Sequence, residues 1–391
     1  MPESTKFSRD TDPHLYITIL AGGVGSRFWP ASTPERPKQL LPLTSSNSLI
    51  DDTFTRAQKV VPKDRVHILT GARLARTLRA ALPDLSDHAL MIEPEARGTA
   101  PVLAWAAWEF AKRDPDAVLI SLHADHMIQP ESSFINLLHV AAGLARRDEL
   151  LFTVAVPPTR PETGYGYIEP GEPMDGGGGG VRAFRVASFC EKPDPSTAES
   201  YVNAGHLWNS GIFVWKASIF LEEVKDVAPE LADLFPLLEE GEVDAFFARA
   251  PVATVDVAVL ERSGRVASVA ATFEWDDVGS WEALMRSQKP DDDGNVLIGS
   301  GHLVESSRNV VYSPEGTVVA YGVEDLVIVR SGDVTLVTRR DLAPSLKKLL
   351  DQLPPELQGG VSLAGGEDAA GASVSKADDP PKATPPPEDA G

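Results

Sequence analysis

The chain has 391 residues, 42% hydrophobic and 24% charged, which is typical of a globular protein of two or three domains with a sizeable core. Its 36 basic and 57 acidic residues give a formal net charge of −21 at pH 7, which argues against binding to nucleic acid or to an anionic membrane, because both need a basic surface. A single cysteine, Cys190, excludes an internal disulfide and a cysteine-rich zinc site, and with no apolar leader and no apolar run of about 18 residues it predicts a cytoplasmic protein.

The first part of the chain alternates short β-branched runs with helical patterns. The predicted strands are 16–20, 66–70, 88–92, 117–122 and 151–156, and the predicted helices lie around 99–112 and 132–146. Thr99 is a candidate helix cap, with Pro101 in the first turn. Strands separated by helices of this length predict an α/β fold with a Rossmann-like, mainly parallel (mixed) sheet. Ligands of such sheets bind at the carboxyl ends of the strands.

The second part of the chain changes pattern twice. Residues 164–193 predict two extended stretches around the glycine run 176–180. From residue 295 to 340, short apolar runs predict a small all-β module: 296–298, 310–312, 318–321, 326–329 and 335–337. A last helix is predicted at 343–353. We therefore divide the chain into an α/β domain at 14–290, a β-rich module at 291–356 and a disordered, low-complexity tail at 357–391.

A glycine-rich loop follows the first predicted strand, within LAGGVGSRFWPASTPERPKQLLPL. Glycines at a strand exit let backbone N–H groups approach phosphate oxygens. The spacing excludes the dinucleotide pattern GxGxxG and the phosphate loop with Gly-Lys-Ser/Thr. A tight turn with surface charges is the alternative interpretation. However, Arg27, Arg36 and Lys38 outweigh Glu35, and a cationic segment in an acidic chain favours a strongly anionic ligand.

Seven segments together resemble the sugar-1-phosphate nucleotidylyltransferases, in particular the mannose-1-phosphate guanylyltransferases (GDP-mannose pyrophosphorylases) of the short monofunctional type. In chain order they are GGVGSRFWPASTPERPKQ, EPEARGTAP, HADHMI, PETGYGYIEPG, CEKPD, WNSGIFVW and FEWDDVGSW. The resemblance covers roughly residues 15 to 350 and implies that the domain at 14–290 is a catalytic nucleotidyltransferase domain. It implies Mg²⁺-dependent transfer of GMP from GTP to mannose 1-phosphate, giving GDP-mannose and pyrophosphate, by attack of a sugar-phosphate oxygen on the α-phosphorus.

The resemblance also implies site residues. The catalytic set is Arg27, Lys38, Asp125 and Asp277, the last two as Mg²⁺ ligands; a helix cap and a turn residue are the structural alternatives for these aspartates. W-x-D-x-G selects Asp277 over Asp276. The nucleotide set is Leu20, Ala21, Gly22, Gly23, Gly25, Ser26, Glu93, Thr99 and Ala100. The sugar-phosphate set is Gly164, Tyr165, Glu191, Lys192 and Asn209, where Asn209 can both donate and accept hydrogen bonds.

Two positions depart from the family pattern. His123 replaces a proline and is expected to change loop stiffness more than chemistry. Gly98 replaces an asparagine, so a polar side chain that could contact the base is missing and the selectivity for the base is expected to be affected. His126 is expected to support the site without binding metal. The alternatives are the same reaction on another hexose 1-phosphate or nucleotide, and a non-catalytic regulatory homologue. A homodimer is expected, and an isomerase domain is not.

Overall fold

The computed structural model describes residues 12–23, 25–175 and 179–358; the predicted tail beyond 358 and residues 176–178 of the glycine run lie outside them. The strands are β1 Leu15–Ala21, β2 Val66–Gly71, β3 Leu90–Glu93, β4 Val118–His123, β5 Met127–Gln129, β6 Leu151–Val156, β7 Gly166–Met174, β8 Ala183–Cys190, β9 Leu207–Lys216, β10 Val266–Ala270, β11 Glu274–Asp276, β12 Val296–Val304, β13 Val310–Tyr321, β14 Leu326–Ser331 and β15 Val334–Arg339.

Helices cover both faces of the sheet and join its strands. The α-helices are α1 Leu49–Ala57, α2 Ala72–Ala81, α3 Thr99–Arg113, α4 Glu131–Asp148, α5 Pro195–Ala204, α6 Ala217–Val227, α7 Pro229–Ala232, α8 Phe235–Glu239, α9 Val243–Arg249, α10 Trp281–Ser287, α11 Leu346–Leu350 and α12 Pro355–Gln358. A π-helical turn spans Asp256–Leu260, and short 3-10 turns include Ser26–Phe28 and Lys38–Leu40. None of the helices in the described ranges combines the length and the apolar composition that a membrane crossing requires.

Nine strands form the main sheet in the order β3-β2-β1-β4-β9-β6-β10-β8-β7. Strands β1 to β4 are parallel to one another, whereas β9 runs antiparallel to β4 and β6. The predicted α/β class with a mixed, Rossmann-like sheet is therefore confirmed. Because β9 lies between β4 and β6, chain segments far apart in sequence meet at its two edges.

The two largest apolar clusters of the core form layers on the two faces of this sheet. One layer contains α1, α2 and α4, with Ile50, Phe54 and Phe134 against the strands. The other contains α3 and α6, with Trp105 and Phe220. The β-branched runs of β1, β2 and β4 are buried on both faces, as expected for strands of a covered parallel sheet. This rigid double layer fixes the strand ends that carry the site.

The C-terminal module is a four-stranded sheet in the order β12-β13-β14-β15. The two predicted runs 310–312 and 318–321 are one strand, β13, interrupted by an irregularity in its pairing with β12. The predicted helix 343–353 is shorter, because Pro344 lies in a 3-10 turn at Arg340–Ser345 that precedes α11. Residues 357 and 358, expected in the tail, belong to α12.

The module packs against the back of the glycine-rich loop. Phe28 contacts Trp281 with 4.8 Å between ring centroids, and Trp281 contacts Tyr312 of β13 at 5.2 Å. Trp29 donates its indole N–H to the carbonyl of Leu357 at 3.1 Å. One apolar cluster thus includes the loop, α10 and the C-terminal sheet, so the module supports the loop from behind.

The expected Thr99 cap is wrong. The residue before α3 is Gly98, and no side chain caps the helix there. The Thr99 hydroxyl instead accepts a hydrogen bond from Val255 N at 2.9 Å, and Ala100 N donates to the carbonyl of Ala253 at 3.1 Å. The start of α3 is therefore tied to the segment 253–255, a contact between residues more than 150 positions apart.

We expect Gly98→Asn to destabilise the protein, although the family pattern favours asparagine there. Gly98 has φ 85° and ψ −177°, a conformation that is strained for other residues by about 1–3 kcal/mol. A Cβ atom would also lie 2.4 Å from the carbonyl oxygen of Ala253. Thermal unfolding should show a lower melting temperature for Gly98→Asn. Gly143→Ala in α4, where a Cβ meets nothing within 4 Å, is the control and should not be destabilised. Unchanged stability of Gly98→Asn would contradict this account.

Candidate active site

The glycine-rich loop brings Lys38 into the protein. Lys38 is only 6% exposed, which rules out a solvated surface lysine. Gly25, at φ 74°, makes this possible, since a Cβ atom there would lie 2.4 Å from the Cβ of Lys38. Arg27 is exposed on the adjacent 3-10 turn, and its guanidinium forms no hydrogen bond or ion pair with the described residues. The loop thus presents one buried and one exposed cation.

Lys38 joins the two predicted metal ligands. Its ammonium donates to Asp125 Oδ2 at 2.8 Å and to the backbone carbonyl of Asp277 at 2.6 Å. Burial acts to raise the pKa of Asp125, but the charge and hydrogen bond of Lys38, together with the contributions of His126 and His123, outweigh burial and lower the pKa to about 2. Asp125 is therefore ionised at neutral pH. The geometry brings together three residues that are separated by 87 and 239 positions along the chain.

Asp276 and Asp277 have different surroundings. Asp276 accepts two hydrogen bonds from the Arg286 guanidinium, at 3.0 and 3.2 Å, and one from Val278 N at 2.8 Å. Asp277 instead accepts from the Tyr165 hydroxyl at 2.6 Å. Burial raises the pKa of Asp277, against the lowering effects of Lys38 and of this hydrogen bond. Asp276 thus holds the turn through Arg286, whereas Asp277 interacts with Tyr165 and Lys38.

The turn that carries these aspartates is strained. Val278 is fully buried at φ 46°, a left-handed conformation that is unfavourable for a β-branched residue. The hydrogen bond from Val278 N to Asp276 and the clamp by Arg286 hold it there. Backbone strain of this kind costs about 1–3 kcal/mol and clusters at functional sites. The strained turn fixes both the carboxylate and the carbonyl of Asp277.

A cavity of about 280 Å³ lies at the carboxyl ends of β1, β3 and β4. Of the predicted nucleotide-binding residues, six line it: Leu20, Ala21, Gly22, Gly23, Glu93 and Thr99. Gly25, Ser26 and Ala100 are not among its lining residues, and Ala100 is fully buried. Asp125 and the unpredicted Gln39 also line this nucleotide cavity. Burial raises the pKa of the half-buried Glu93 carboxyl.

A second cavity, of about 230 Å³, contains every predicted sugar-phosphate residue together with Asp277: Gly164, Tyr165, Glu191, Lys192 and Asn209 line it. Glu191 is ion-paired with Lys192, and Gly166 leaves room for it, because a Cβ atom there would lie 2.5 Å from Glu191 Oε2. His123 and Thr99 line both this sugar cavity and the nucleotide cavity. The two cavities therefore adjoin beside Asp125.

Backbone groups of Gly164 and Tyr165, two of the predicted sugar-phosphate residues, form hydrogen bonds within the protein. Gly164 N donates to Glu162 Oε1 at 3.1 Å, and the carbonyl of Tyr165 accepts from Lys192 N at 3.2 Å. The Tyr165 ring packs between Trp208 and Trp275, with centroid distances of 5.1 and 5.2 Å. Tyr165 thus supports Asp277 from a rigid aromatic cluster, a role that the sequence did not indicate.

Asn209 is held by a network that the sequence analysis missed. Its Oδ1 accepts from the Thr153 hydroxyl at 2.6 Å and from Gly211 N at 3.3 Å, while its Nδ2 donates to Asp256 Oδ1 at 2.8 Å. The amide therefore keeps one N–H for a ligand but no free acceptor, which narrows the expected dual role. Asp256 lines the same cavity. It lies in the π-helical turn, and such turns are frequent at functional sites.

Asp256 should make stability depend on pH. Burial, together with the negative charge of Glu191 and against the positive charge of Lys192, raises the pKa of Asp256 from 3.8 to about 7. The folded state then binds a proton more tightly than the unfolded state. This contribution to stability is fully present below pH 3.8 and is lost as the pH rises through about 7.

The measurement is the difference in melting temperature between wild type and Asp256→Asn from pH 5 to pH 8. Because the asparagine cannot ionise, the wild type should lose stability relative to the variant as the pH rises across this range. The exposed Asp233 provides the control, and Asp233→Asn should show a nearly constant difference. Parallel curves for wild type and Asp256→Asn would contradict the raised pKa.

The donor set fits a divalent cation. Asp125 Oδ1 and Asp277 Oδ2 accept no hydrogen bond from the described residues, so each carboxylate keeps one oxygen. Oxygen donors combined with substrate phosphates are what Mg²⁺ prefers. Asp125 also forms, with His123 and His126, a group whose potential ligand atoms lie within 4.8 Å of one another. Asp125 and Asp277 remain predicted ligands.

The chain is similar to known proteins over most of its length. Residues 17–293 match the nucleotidyl transferase family, and residues 301–353 match the MannoseP isomerase/GMP-like beta-helix domain. The mannose-1-phosphate guanylyltransferase of Salmonella muenchen is 36% identical over 354 residues, which are 87% of this chain and 73% of that protein.

A second relative and a solved structure agree with these matches. The mannose-1-phosphate guanylyltransferase of Escherichia coli K12 is 36% identical over 355 residues, with the same coverage of 87% and 73%. The crystal structure of the mannose-1-phosphate geranyltransferase from Thermus thermophilus superposes with a TM-score of 0.80 at 30% identity. It matches 87% of this chain and 99% of that one.

Proposed function

The chain belongs to the mannose-1-phosphate guanylyltransferases of the nucleotidyl transferase family, and from this premise we propose how its two adjoining cavities carry out the reaction. The protein transfers GMP from GTP to α-D-mannose 1-phosphate and forms GDP-mannose and pyrophosphate. The observation that carries the proposal is Lys38, which joins Asp125 of the nucleotide cavity to Asp277 of the sugar cavity. A reaction between two anions needs positive charge at this junction.

On the nucleotide side, we assign the triphosphate to the glycine-rich loop. The ammonium of Lys38 has three N–H groups, and two of them are bound to protein oxygens. The third can donate to a phosphate oxygen and stabilise the pyrophosphate as it leaves. Arg27, exposed on the same loop, supplies a second cation. Glu93 offers two acceptor oxygens that match the N1–H and N2 amino donors of guanine.

On the sugar side, the hexose hydroxyls meet a fixed set of donors and acceptors. Asn209 keeps one N–H, and the carboxyl groups of Glu191 and Asp256 provide acceptors. Lys192, half-exposed at the rim and paired with Glu191, is assigned to the sugar phosphate. These groups orient the phosphate oxygen towards the α-phosphorus for in-line attack, since correct placement contributes much of the rate in such a step.

We propose Mg²⁺ as the divalent metal that this enzyme family uses. Asp125 Oδ1 and Asp277 Oδ2 would hold it, because they are the carboxylate oxygens without a partner in the described structure. When bound, the ion would neutralise phosphate charge. Lys38 keeps Asp125 ionised, and Tyr165 orients Asp277 through its hydroxyl. Both carboxylates are therefore ready to bind a cation.

The test measures pyrophosphate release with Mg²⁺ over a grid of substrates. GTP, ATP, UTP and dTTP are each combined with mannose 1-phosphate and with glucose 1-phosphate. The expected result is a dominant rate with GTP and mannose 1-phosphate. A dominant rate with another nucleotide or with glucose 1-phosphate would support the same reaction on different substrates. No rate in any combination, from folded protein, would favour a non-catalytic homologue.

Two further proposals concern the setting of the enzyme. The lone Cys190, which has no disulfide partner, supports the reducing cytoplasm as the location of the enzyme.

Val304, Val319 and Tyr321 are 50%, 70% and 68% exposed on adjacent strands of the C-terminal sheet, which supports a homodimer through this face. Sedimentation of the full chain and of Val319→Glu tests the dimer, and a monomeric wild type would contradict it.

A further inference from the structure

His123 occupies the junction of the two cavities. It is the last residue of β4, two positions before Asp125, and its ring lines both the sugar cavity and the nucleotide cavity. Gly211 makes room for this ring, because a Cβ atom at that position would lie 2.7 Å from His123 Nε2. The imidazole is thus built into the place where the attacking and transferred phosphates must meet.

His123, Asp125 and His126 present potential ligand atoms within 4.8 Å of one another. Nitrogen and oxygen ligands lie about 2.0–2.2 Å from a divalent transition metal. Two ligand atoms of this group that are separated by less than about twice that distance can therefore bind the same ion. The unpaired Oδ1 of Asp125 is the oxygen that remains for this purpose, because Oδ2 binds Lys38. The group therefore offers nitrogen as well as oxygen donors.

The two histidines are not equivalent. His126 accepts a hydrogen bond at Nδ1 from the indole N–H of Trp275, at 3.1 Å. A neutral imidazole that accepts at Nδ1 carries its proton on Nε2, so neither nitrogen of His126 is available to a metal without breaking this arrangement. The ring nitrogens of His123 have no hydrogen-bond partner in the described part of the chain. His123 is therefore the nitrogen donor that can reach the cation beside Asp125.

We propose that His123 is a third ligand, together with Asp125 and Asp277, for the divalent cation of this enzyme, and that it shifts the metal preference from Mg²⁺ towards Mn²⁺. Imidazole nitrogen suits first-row transition metals, whereas Mg²⁺ prefers oxygen. The histidine that replaces the family's proline thus changes the chemistry of the site. This inference rests on the carboxylate metal site of the proposed function.

The first experiment is electron spin-echo spectroscopy of Mn²⁺ bound to the full chain with GTP, prepared with natural and with ¹⁵N-labelled histidine. The label separates histidine nitrogen from guanine nitrogen. We expect a histidine nitrogen coupling in the wild type, its loss in His123→Gln and His123→Pro, and its retention in His126→Gln. Glutamine keeps the backbone N–H that proline lacks, so the His123→Gln variant remains informative if proline disturbs β4.

Each other outcome has a definite meaning. Bound Mn²⁺ without a histidine coupling, or a coupling that survives in His123→Gln, would overturn the role of His123 and leave the carboxylate site intact. Failure of Mn²⁺ to bind, seen as an unchanged signal of the free ion in the titration, would contradict both this proposal and the metal site on which it rests. A dominant GTP and mannose 1-phosphate rate in the substrate grid would still stand.

A competition titration gives the second measurement. Mg²⁺ is added to the Mn²⁺-loaded protein, and the released Mn²⁺ is followed by its free-ion signal. His123→Gln should weaken Mn²⁺ binding by at least about tenfold, a loss that is seen even for groups behind a metal ligand. Mg²⁺, which prefers oxygen ligands, should be affected less, so the preference for Mn²⁺ over Mg²⁺ should fall. The exposed His302→Gln, on the C-terminal sheet, is the control. An unchanged ratio in His123→Gln would contradict the shift in preference.

Discussion

Lys38→Ala should lower kcat by about 10²–10³-fold, the usual loss when one positioned donor for a transition-state anion is removed. The buried ammonium carries the positive charge between the two cavities and bonds to Asp125 and to the carbonyl of Asp277. Its removal takes away a donor to the leaving pyrophosphate. It also leaves the Asp125 carboxylate without the cation that holds its pKa near 2.

The measurement is steady-state pyrophosphate release at saturating GTP, mannose 1-phosphate and Mg²⁺. Lys38→Met, which keeps the aliphatic stem packed beside Gly25, separates the loss of charge from the loss of packing and should be impaired to a similar degree. The exposed Lys63→Ala is the control and should retain the wild-type rate. A near-normal kcat for Lys38→Met, with folding verified by thermal unfolding, would remove Lys38 from the mechanism.

Asp277→Asn should raise the half-saturating Mg²⁺ concentration by at least about tenfold, since changes even behind a metal ligand have effects of this size. The substitution replaces the carboxylate with a neutral amide and keeps the shape of the side chain. The amide oxygen can still accept from the Tyr165 hydroxyl at the position of Oδ1, and the NH2 group then takes the place of Oδ2, the oxygen assigned to the metal. The change therefore removes charge from the metal site with little effect on the surrounding aromatic cluster.

Asp276→Asn is the matched control for this prediction. Asp276 is buried as well, but its carboxylate accepts hydrogen bonds from Arg286 and Val278 N and does not contact Lys38 or Tyr165 in the described structure. The control should lower the melting temperature and leave the Mg²⁺ dependence of the rate almost unchanged. Equal shifts of the Mg²⁺ titration in both variants would show that the strained turn as a whole is responsible, and unchanged titrations would argue against Asp277 as a ligand.

Local sequence patterns predicted the α/β class and most of the strands, because runs such as 66–70 and 151–156 are largely apolar and are bounded by turns. The glycine-rich loop was identified because its three glycines follow a strand directly. Where patterns were weaker, the prediction was less accurate: the run 88–92 begins with a 3-10 turn at Asp87–Ala89 before β3, and the final helix is interrupted at Pro344.

The family was correctly identified from the seven segments, since their order along the chain is specific. The roles of single residues were harder to foresee. Thr99 resembles a helix cap in sequence, yet its hydroxyl binds Val255 N. Asn209 was expected to donate and accept, yet Thr153 and Gly211 occupy its acceptor. Asp256 was missed altogether, because one acidic residue in an apolar segment carries no distinctive spacing.

The sequence by itself determined the strand-forming runs, the flexible glycines and the inventory of charged groups, since these depend on residue type and on near neighbours. Only the tertiary structure decided which charges meet. The pairing of β9 with β7 places Asn209 beside Gly166, and the turn before α10 places Asp277 beside Lys38. A contact between residues that are hundreds of positions apart in the chain depends on the order of the strands and on burial, and no local sequence pattern encodes either.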